Sequence, residues 1–144
     1  MIQLLPASIK DYKDLTRLED ISFPIDRWGF FDLVGVLTLP KVVRLKALYK
    51  DKFAGFTAGD IRNRDGIGWI VTIAVFPEFR GQGIGKALLD ECESQMQMPV
   101  IKLTVRKSNY SAINLYLKNG YFQSEIWENY YIGGEDGILF EKHC

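Results

Sequence analysis

Residues 69–89 read WIVTIAVFPEFRGQGIGKALL, and the fold is decided by how that run is divided. Trp69 to Phe76 is an unbroken apolar and β-branched run, which predicts a strand buried on both faces. Pro77 has no N–H for a ladder and closes it. From Lys86 onward the pattern is helical, with Ile84, Leu88 and Leu89 on one face and Asp90, Glu91 and Glu93 on another. Between strand and helix lie Arg80, Gly81, Gln82, Gly83, Ile84 and Gly85. A helix start leaves four N–H groups without partners and carries partial positive charge, so this turn is expected to hold an anion. Glycines there keep Cβ atoms out of the way.

Spacing narrows the anion. A dinucleotide fingerprint, G-x-G-x-x-G, fails because the third glycine comes one residue early. A Walker A loop fails because Arg80 and Ala87 stand where a glycine and a Ser or Thr are needed. The pattern present is [Gln/Arg]-x-x-Gly-x-[Gly/Ala], carried by Arg80, Gly83 and Gly85 directly after an Ala-Val-Phe-Pro strand end. In this the chain resembles the GNAT superfamily of acyl-CoA-dependent N-acetyltransferases, whose corresponding loop holds the pyrophosphate of coenzyme A.

The 144 residues are expected to form one domain spanning 1–144, with 47% hydrophobic and 25% charged residues. Eighteen Lys and Arg cancel eighteen Asp and Glu, so no net field favours nucleic acid or an anionic membrane. No apolar run approaches the roughly 20 residues of a membrane helix, and no signal peptide is visible, which makes the cytoplasm the expected location. Cys92 and Cys144 have no metal-like spacing, and the single histidine, His143, lies next to the C-terminus; a metal site is not expected.

Along the chain, residues 2–5 read as a strand. Ser8 caps a helix to about Asp20, with Ile9, Tyr12, Leu15 and Leu18 inward. A second helix is expected from Arg27 to Leu37, with Trp28, Phe31, Val34 and Leu37 inward. Alternation over 43–49, a hairpin partner at 53–61 and the central strand at 67–76, joined by turns at 50–52 and 63–66, predict three antiparallel strands. Val100 to Val105 is a further strand, Tyr110 to Lys118 a helix closed at Asn119-Gly120, and 121–132 with 137–142 a closing hairpin. The expected fold is α/β, a single GNAT-like domain with a mixed sheet of about six or seven strands and about four helices.

The resemblance continues through Leu103-Thr104-Val105-Arg106-Lys107-Ser108-Asn109, Ala112-Ile113-Asn114-Leu115-Tyr116 and Gly120-Tyr121-Phe122. These are similar to the second signature of the branch that acetylates N-terminal amines, the ribosomal-protein-alanine and N-alpha-acetyltransferases. Together the matches cover roughly residues 67–142. The resemblance implies acetyl-CoA as co-substrate, bound by the main chain of Ile73, Ala74 and Val75, by Arg80 to Gly85 with Lys86, and by Asn109. It implies a strand splayed by a bulge that frees an N–H near Ile73 for the thioester carbonyl, and Tyr116 as the acid that protonates the leaving thiolate. Asn109 can cap its helix at the same time, and Tyr116, two turns on, lies along the same face. A phenol of pKa about 10 is matched to a thiolate of about 8.5 to 10.

One position departs from the branch. Where a Glu or His is expected as base, before Val-Arg, this chain has Thr104. Glu19 is the first alternative, with Glu78, Glu128 and Tyr131 behind it. A second is an amine of low pKa. The acceptor surface is expected from residues 21–37 and 129–134, with Phe23, Trp28, Phe31, Tyr130 and Tyr131. The acceptor is expected to be a protein or peptide N-terminus; a small amine of polyamine or aminoglycoside type, and a module that binds acyl-CoA without turnover, are the alternatives. A homodimer is compatible with the sequence.

Overall fold

The computed structural model describes residues 1–26 and 29–144, and for Phe30 and Phe31 the backbone alone. Its strands are β1 (Ile2–Pro6), β2 (Val42–Tyr49), β3 (Lys52–Arg62), β4 (Ile67–Val75), β5 (Val100–Arg106), β6 (Phe122–Trp127) and β7 (Gly137–His143). Its helices are α1 (Tyr12–Ser22), α2 (Phe30–Thr38), α3 (Ile84–Met96) and α4 (Tyr110–Lys118). The strands form one mixed sheet in the order β1-β2-β3-β4-β5-β7-β6, a single α/β domain as expected. Among the described residues only β4 and β5 pair in parallel.

Helices cover both faces. On one, α3 and α4 bury Leu88, Leu89, Met96 and Tyr116 against Leu45, Ile101 and Phe140. On the other, α1 and α2 bury Leu15, Leu18, Leu33 and Leu37 against Phe56, Ala74 and Phe76. Helix α3 approaches the sheet closely because Gly59 has no side chain: a Cβ there would lie 2.4 Å from the Met96 sulfur.

Four expectations are corrected. Ile9 does not face inward: it is 49% exposed, in a short 3-10 turn, Ile9–Asp11, that Ser8 caps before α1 begins. Strand β4 is not buried on both faces: Val71 is 40% exposed and Ile73 half-buried. The cause is non-local, since β4 pairs with β5 only from Ile67 to Trp69, and a bulge places Val71 opposite no residue of β3. The second helix begins at Phe30, after Gly29, and turns Leu33, Val36 and Leu37 inward, with Val34 half-buried. The expected placements of Trp28 and of the Phe31 side chain lie outside the described residues. Strand β6 stops at Trp127, because Asn129 takes a left-handed φ of 52° and its N–H donates to Asp136 Oδ1 at 3.0 Å. Residues 128–136 are therefore a loop.

Candidate active site

Past Trp69, β4 and β5 diverge, and each side of the gap opens into a cavity. One, of about 650 Å³, is lined by Ile73, Ala74, Val75, Arg80, Gly81, Gly83, Ile84, Gly85, Lys86 and Asn109. The other, of about 530 Å³, is lined by Glu19, Phe23, Asp26, Thr72, Thr104, Arg106, Tyr130 and Tyr131. Both volumes suit a ligand site. Phe23, Ile73, Asn109, Ala112 and Tyr116 line both, so the two cavities meet there.

The open edge of β4 offers main-chain groups. Phe76 N–H donates to Ala54 O of β3 at 2.8 Å, and Thr72 O accepts from Thr57 Oγ1 on that side. Strand alternation then turns the N–H and C=O of Ile73 and Val75 toward the gap. The Val75 carbonyl already accepts from Arg80 Nε at 3.1 Å. Arg80 is thus folded onto the strand end, on the wall of the glycine-side cavity.

In the glycine turn, Gly81 and Gly83 have φ of 79° and 81°, which only glycine adopts at little cost. Gly83 is the N-cap of α3, and Ala87 N–H reaches its carbonyl at 3.1 Å. The N–H groups of the preceding first turn are left for an anion. The Ile84 side chain is buried in the core, so only its amide can serve a ligand. Gln82 is exposed and lines neither cavity. Lys86 lies on the wall, but its Nζ is engaged by Asp90 at 2.8 Å and Asn119 at 3.1 Å. In the variant Gly83→Ala the left-handed cap conformation costs about 1–2 kcal/mol. We expect a lower melting temperature and weaker coenzyme A binding by calorimetry; unchanged values of both would show the turn to be indifferent to its backbone.

Asn109 caps α4, its Oδ1 accepting from Ala112 N–H at 3.3 Å, and the Nδ2 side of the amide is left for a ligand. Tyr116 is 5% exposed, and its ring packs 5.8 Å from Tyr121 and 6.0 Å from Phe140. Among the described residues its hydroxyl is bonded to no side chain. Burial pushes this phenol well above its ordinary value, a correction to the expected pKa, so it carries its proton at every working pH.

Glu19 is the carboxylate that the structure brings to the gap. It is 3% exposed on the last turns of α1, with Oε2 accepting from Thr72 Oγ1 at 3.1 Å. Burial, and to a smaller degree Asp20, outweighs that hydrogen bond and pushes its carboxyl up to about 7. Glu78 and Glu128 are exposed and line neither cavity. Thr104 lines the acceptor-side cavity, as does Tyr131.

Sequence reasoning gives no role to Arg106. Its guanidinium takes Asp26 in a bidentate pair at 2.6 and 2.7 Å, Glu135 at 3.0 Å and the Ile132 carbonyl at 2.9 Å, and lies 4.8 Å from the Tyr131 ring centre. Nor does it single out Ser22, whose Oγ, in a residue on the wall of the glycine-side cavity, is buried with no hydrogen-bond partner among the described residues. A signal for Arg106 exists in the acidic residues at 26 and 135, but their distance in sequence hides the contact.

An open strand edge followed by a glycine turn at a helix start, with a second cavity sharing one tyrosine, defines an acyl-CoA-type transferase fold. Residues 12–121 match the acetyltransferase (GNAT) family, and the chain belongs to it. A protein of Sulfurisphaera tokodaii described as an N-alpha-acetyltransferase is 41% identical over 76 residues, 50% of this chain and 46% of that one. The ribosomal protein bS18-alanine N-acetyltransferase of Escherichia coli is 37% identical over 76 residues, 49% of this chain and 51% of its own. The chain spans about half the length of the curated relatives it matches. The crystal structure of the Escherichia coli protein shares the fold over 99% of this chain and 94% of that one, with TM-score 0.87 and 24% identity. Naa50 of Arabidopsis thaliana, in complex with the bisubstrate analogue CoA-Ac-MVNAL, matches with TM-score 0.86 and 26% identity over 99% of both chains.

Proposed function

We propose that residues 1–144 act as one unit that transfers the acetyl group of acetyl-CoA to the amine of a protein or peptide N-terminus. The observation that carries this reading is the meeting of the two cavities at Tyr116 and Ile73. The glycine-side cavity fits coenzyme A: helix-start amides for the diphosphate, the β4 edge for the extended pantetheine arm, and the Ser22 hydroxyl, without a partner among the described residues, on its wall. The other cavity fits a chain end, with the buried carboxylate of Glu19, which no cation among the described residues pairs, and a wall of aromatic rings.

Acetyl-CoA supplies the reactive thioester, whose C–S bond breaks as the amide C–N bond forms. Glu19 takes a proton from the arriving ammonium, so that nitrogen attacks with its lone pair. A carboxyl held near 7 is suited to that task at neutral pH. The Ile73 N–H donates to the carbonyl oxygen as negative charge develops there. Tyr116 gives its hydroxyl proton to the departing sulfur. Burial disfavours the thiolate in the same sense as the phenolate, so the proton affinities of donor and acceptor rise together. Transfer is direct, in a ternary complex, and the protein is expected to work in the cytoplasm.

The test is coenzyme A release on peptides X-Val-Asn-Ala-Leu with varied first residue and a free amine, beside blocked-amine controls and a panel of polyamines and aminoglycosides. Turnover of free-amine peptides with kcat/KM at least about tenfold above every small amine is the expected result. Preference for a small amine would replace the acceptor. Tight acetyl-CoA binding with no turnover on any amine would favour a binding module.

A further inference from the structure

The acceptor-side cavity has walls from segments distant in sequence. Phe23 and Asp26 follow α1, while Tyr130 and Tyr131 belong to the loop between β6 and β7. Neither is a regular element, and each needs something to hold it against the sheet. Arg106, the last residue of β5, reaches both. One side of its planar fork holds Asp26, and the other reaches Glu135 and the Ile132 carbonyl. Glu135 is fixed further by accepting from Ser108 N–H at 2.8 Å, so the loop is tied to the start of α4 as well.

We propose that Arg106 is the positioning residue of the acceptor subsite, a strand-borne clamp that sets the spacing between the Phe23–Asp26 segment and the Tyr130–Tyr131 loop. The assignment rests on the transfer reading above and goes beyond it, since Arg106 touches neither a thioester nor an amine in that chemistry. Geometry separates a clamp from a general surface charge. The Arg106 side chain is 17% exposed, against 25% for Asp26 and 27% for Glu135, so the contacts are partly withdrawn from water. Bidentate pairing fixes orientation as well as distance, which a lysine cannot reproduce. The pairing also neutralises Asp26 within the cavity, leaving Glu19 as the carboxylate available to an ammonium.

The test compares R106Q, R106K, Asp26→Asn and Glu135→Gln in the full chain, with MVNAL peptide and acetyl-CoA as substrates. For R106Q the KM of the peptide is expected to rise about tenfold or more, with kcat within about threefold and the KM of acetyl-CoA unchanged. R106K should recover part of the loss, and Asp26→Asn should add little in the R106Q background. Amide exchange followed by mass spectrometry gives a readout independent of turnover. R106Q should exchange faster at residues 23–26 and 129–136, with β5 and α4 unchanged. Glu135→Gln should loosen only the second segment. A peptide KM within about twofold of wild type, or unchanged exchange in both segments, would overturn the assignment. Should the wild-type chain turn over no peptide at all, the transfer reading fails and exchange alone decides whether Arg106 is a clamp.

Discussion

Replacing Tyr116 by Phe is expected to lower kcat by at least about 10²-fold while the Kd of acetyl-CoA changes by less than about twofold. The substitution removes one oxygen and keeps the ring, so the packing against Tyr121 and Phe140 survives. It removes no hydrogen bond to another side chain among the described residues, so a large stability loss is not expected. What disappears is the one side-chain hydroxyl that lines both cavities, at their junction with Ile73. Without a donor there, sulfur must leave as a bare thiolate in a site from which much water is excluded, and the penalty falls on the transition state. Single-turnover rates alongside calorimetric binding separate the two quantities. Equal loss of rate and affinity, or no loss of either, would remove Tyr116 from the chemistry.

Part of this junction is legible in the amino-acid sequence alone. The strand, the glycine turn and the helix start are local patterns, and β4, Gly81–Gly85 and α3 fall where periodicity puts them. Helix α4 has the expected bounds, because Asn109 and Gly120 mark its ends chemically. Failures follow sequence separation. The apolar run at 69–76 gives by itself no sign that β5 leaves β4 after Trp69; the splay and its bulge are expected only through the family resemblance, and both are present. Glu19 has the local pattern of a solvated helix residue, and what buries it includes Thr72, 53 residues away. Arg106 pairs with Asp26 across 80 residues and with Glu135 across 29. The aromatic residues of loop 128–136 have strand propensity; left-handed Asn129, Gly133 and Gly134 overrule it.

The Glu19→Gln variant should fall by about 10² in kcat/KM for peptide at pH 7 and, at the same time, become more stable than wild type in alkali. The two effects share one cause. The Glu19 carboxyl titrates at about 7 when folded, against an ordinary value of 4.5. Below pH 4.5 both folded and unfolded chains hold the proton, and the residue makes no pH-dependent contribution. As pH rises from 4.5 to 7 the unfolded chain gives up its proton first, so folding loses stability across this window. Above pH 7 the full penalty, about 3 kcal/mol, is present. Glutamine carries no charge, can still accept from Thr72, and escapes the penalty; its melting temperature should match wild type near about pH 4.5 and exceed it near about pH 8.5. Activity should show the complement. In wild type kcat/KM should climb through an ionisation near 7, and that limb should vanish in Glu19→Gln, while the limb of the peptide amine, at about 7.7–8.0, remains in both. A residue kept only for packing would give the opposite pair, lower stability with its pH–rate profile intact, and that outcome would move the base elsewhere, with Tyr131 the next group on the cavity wall.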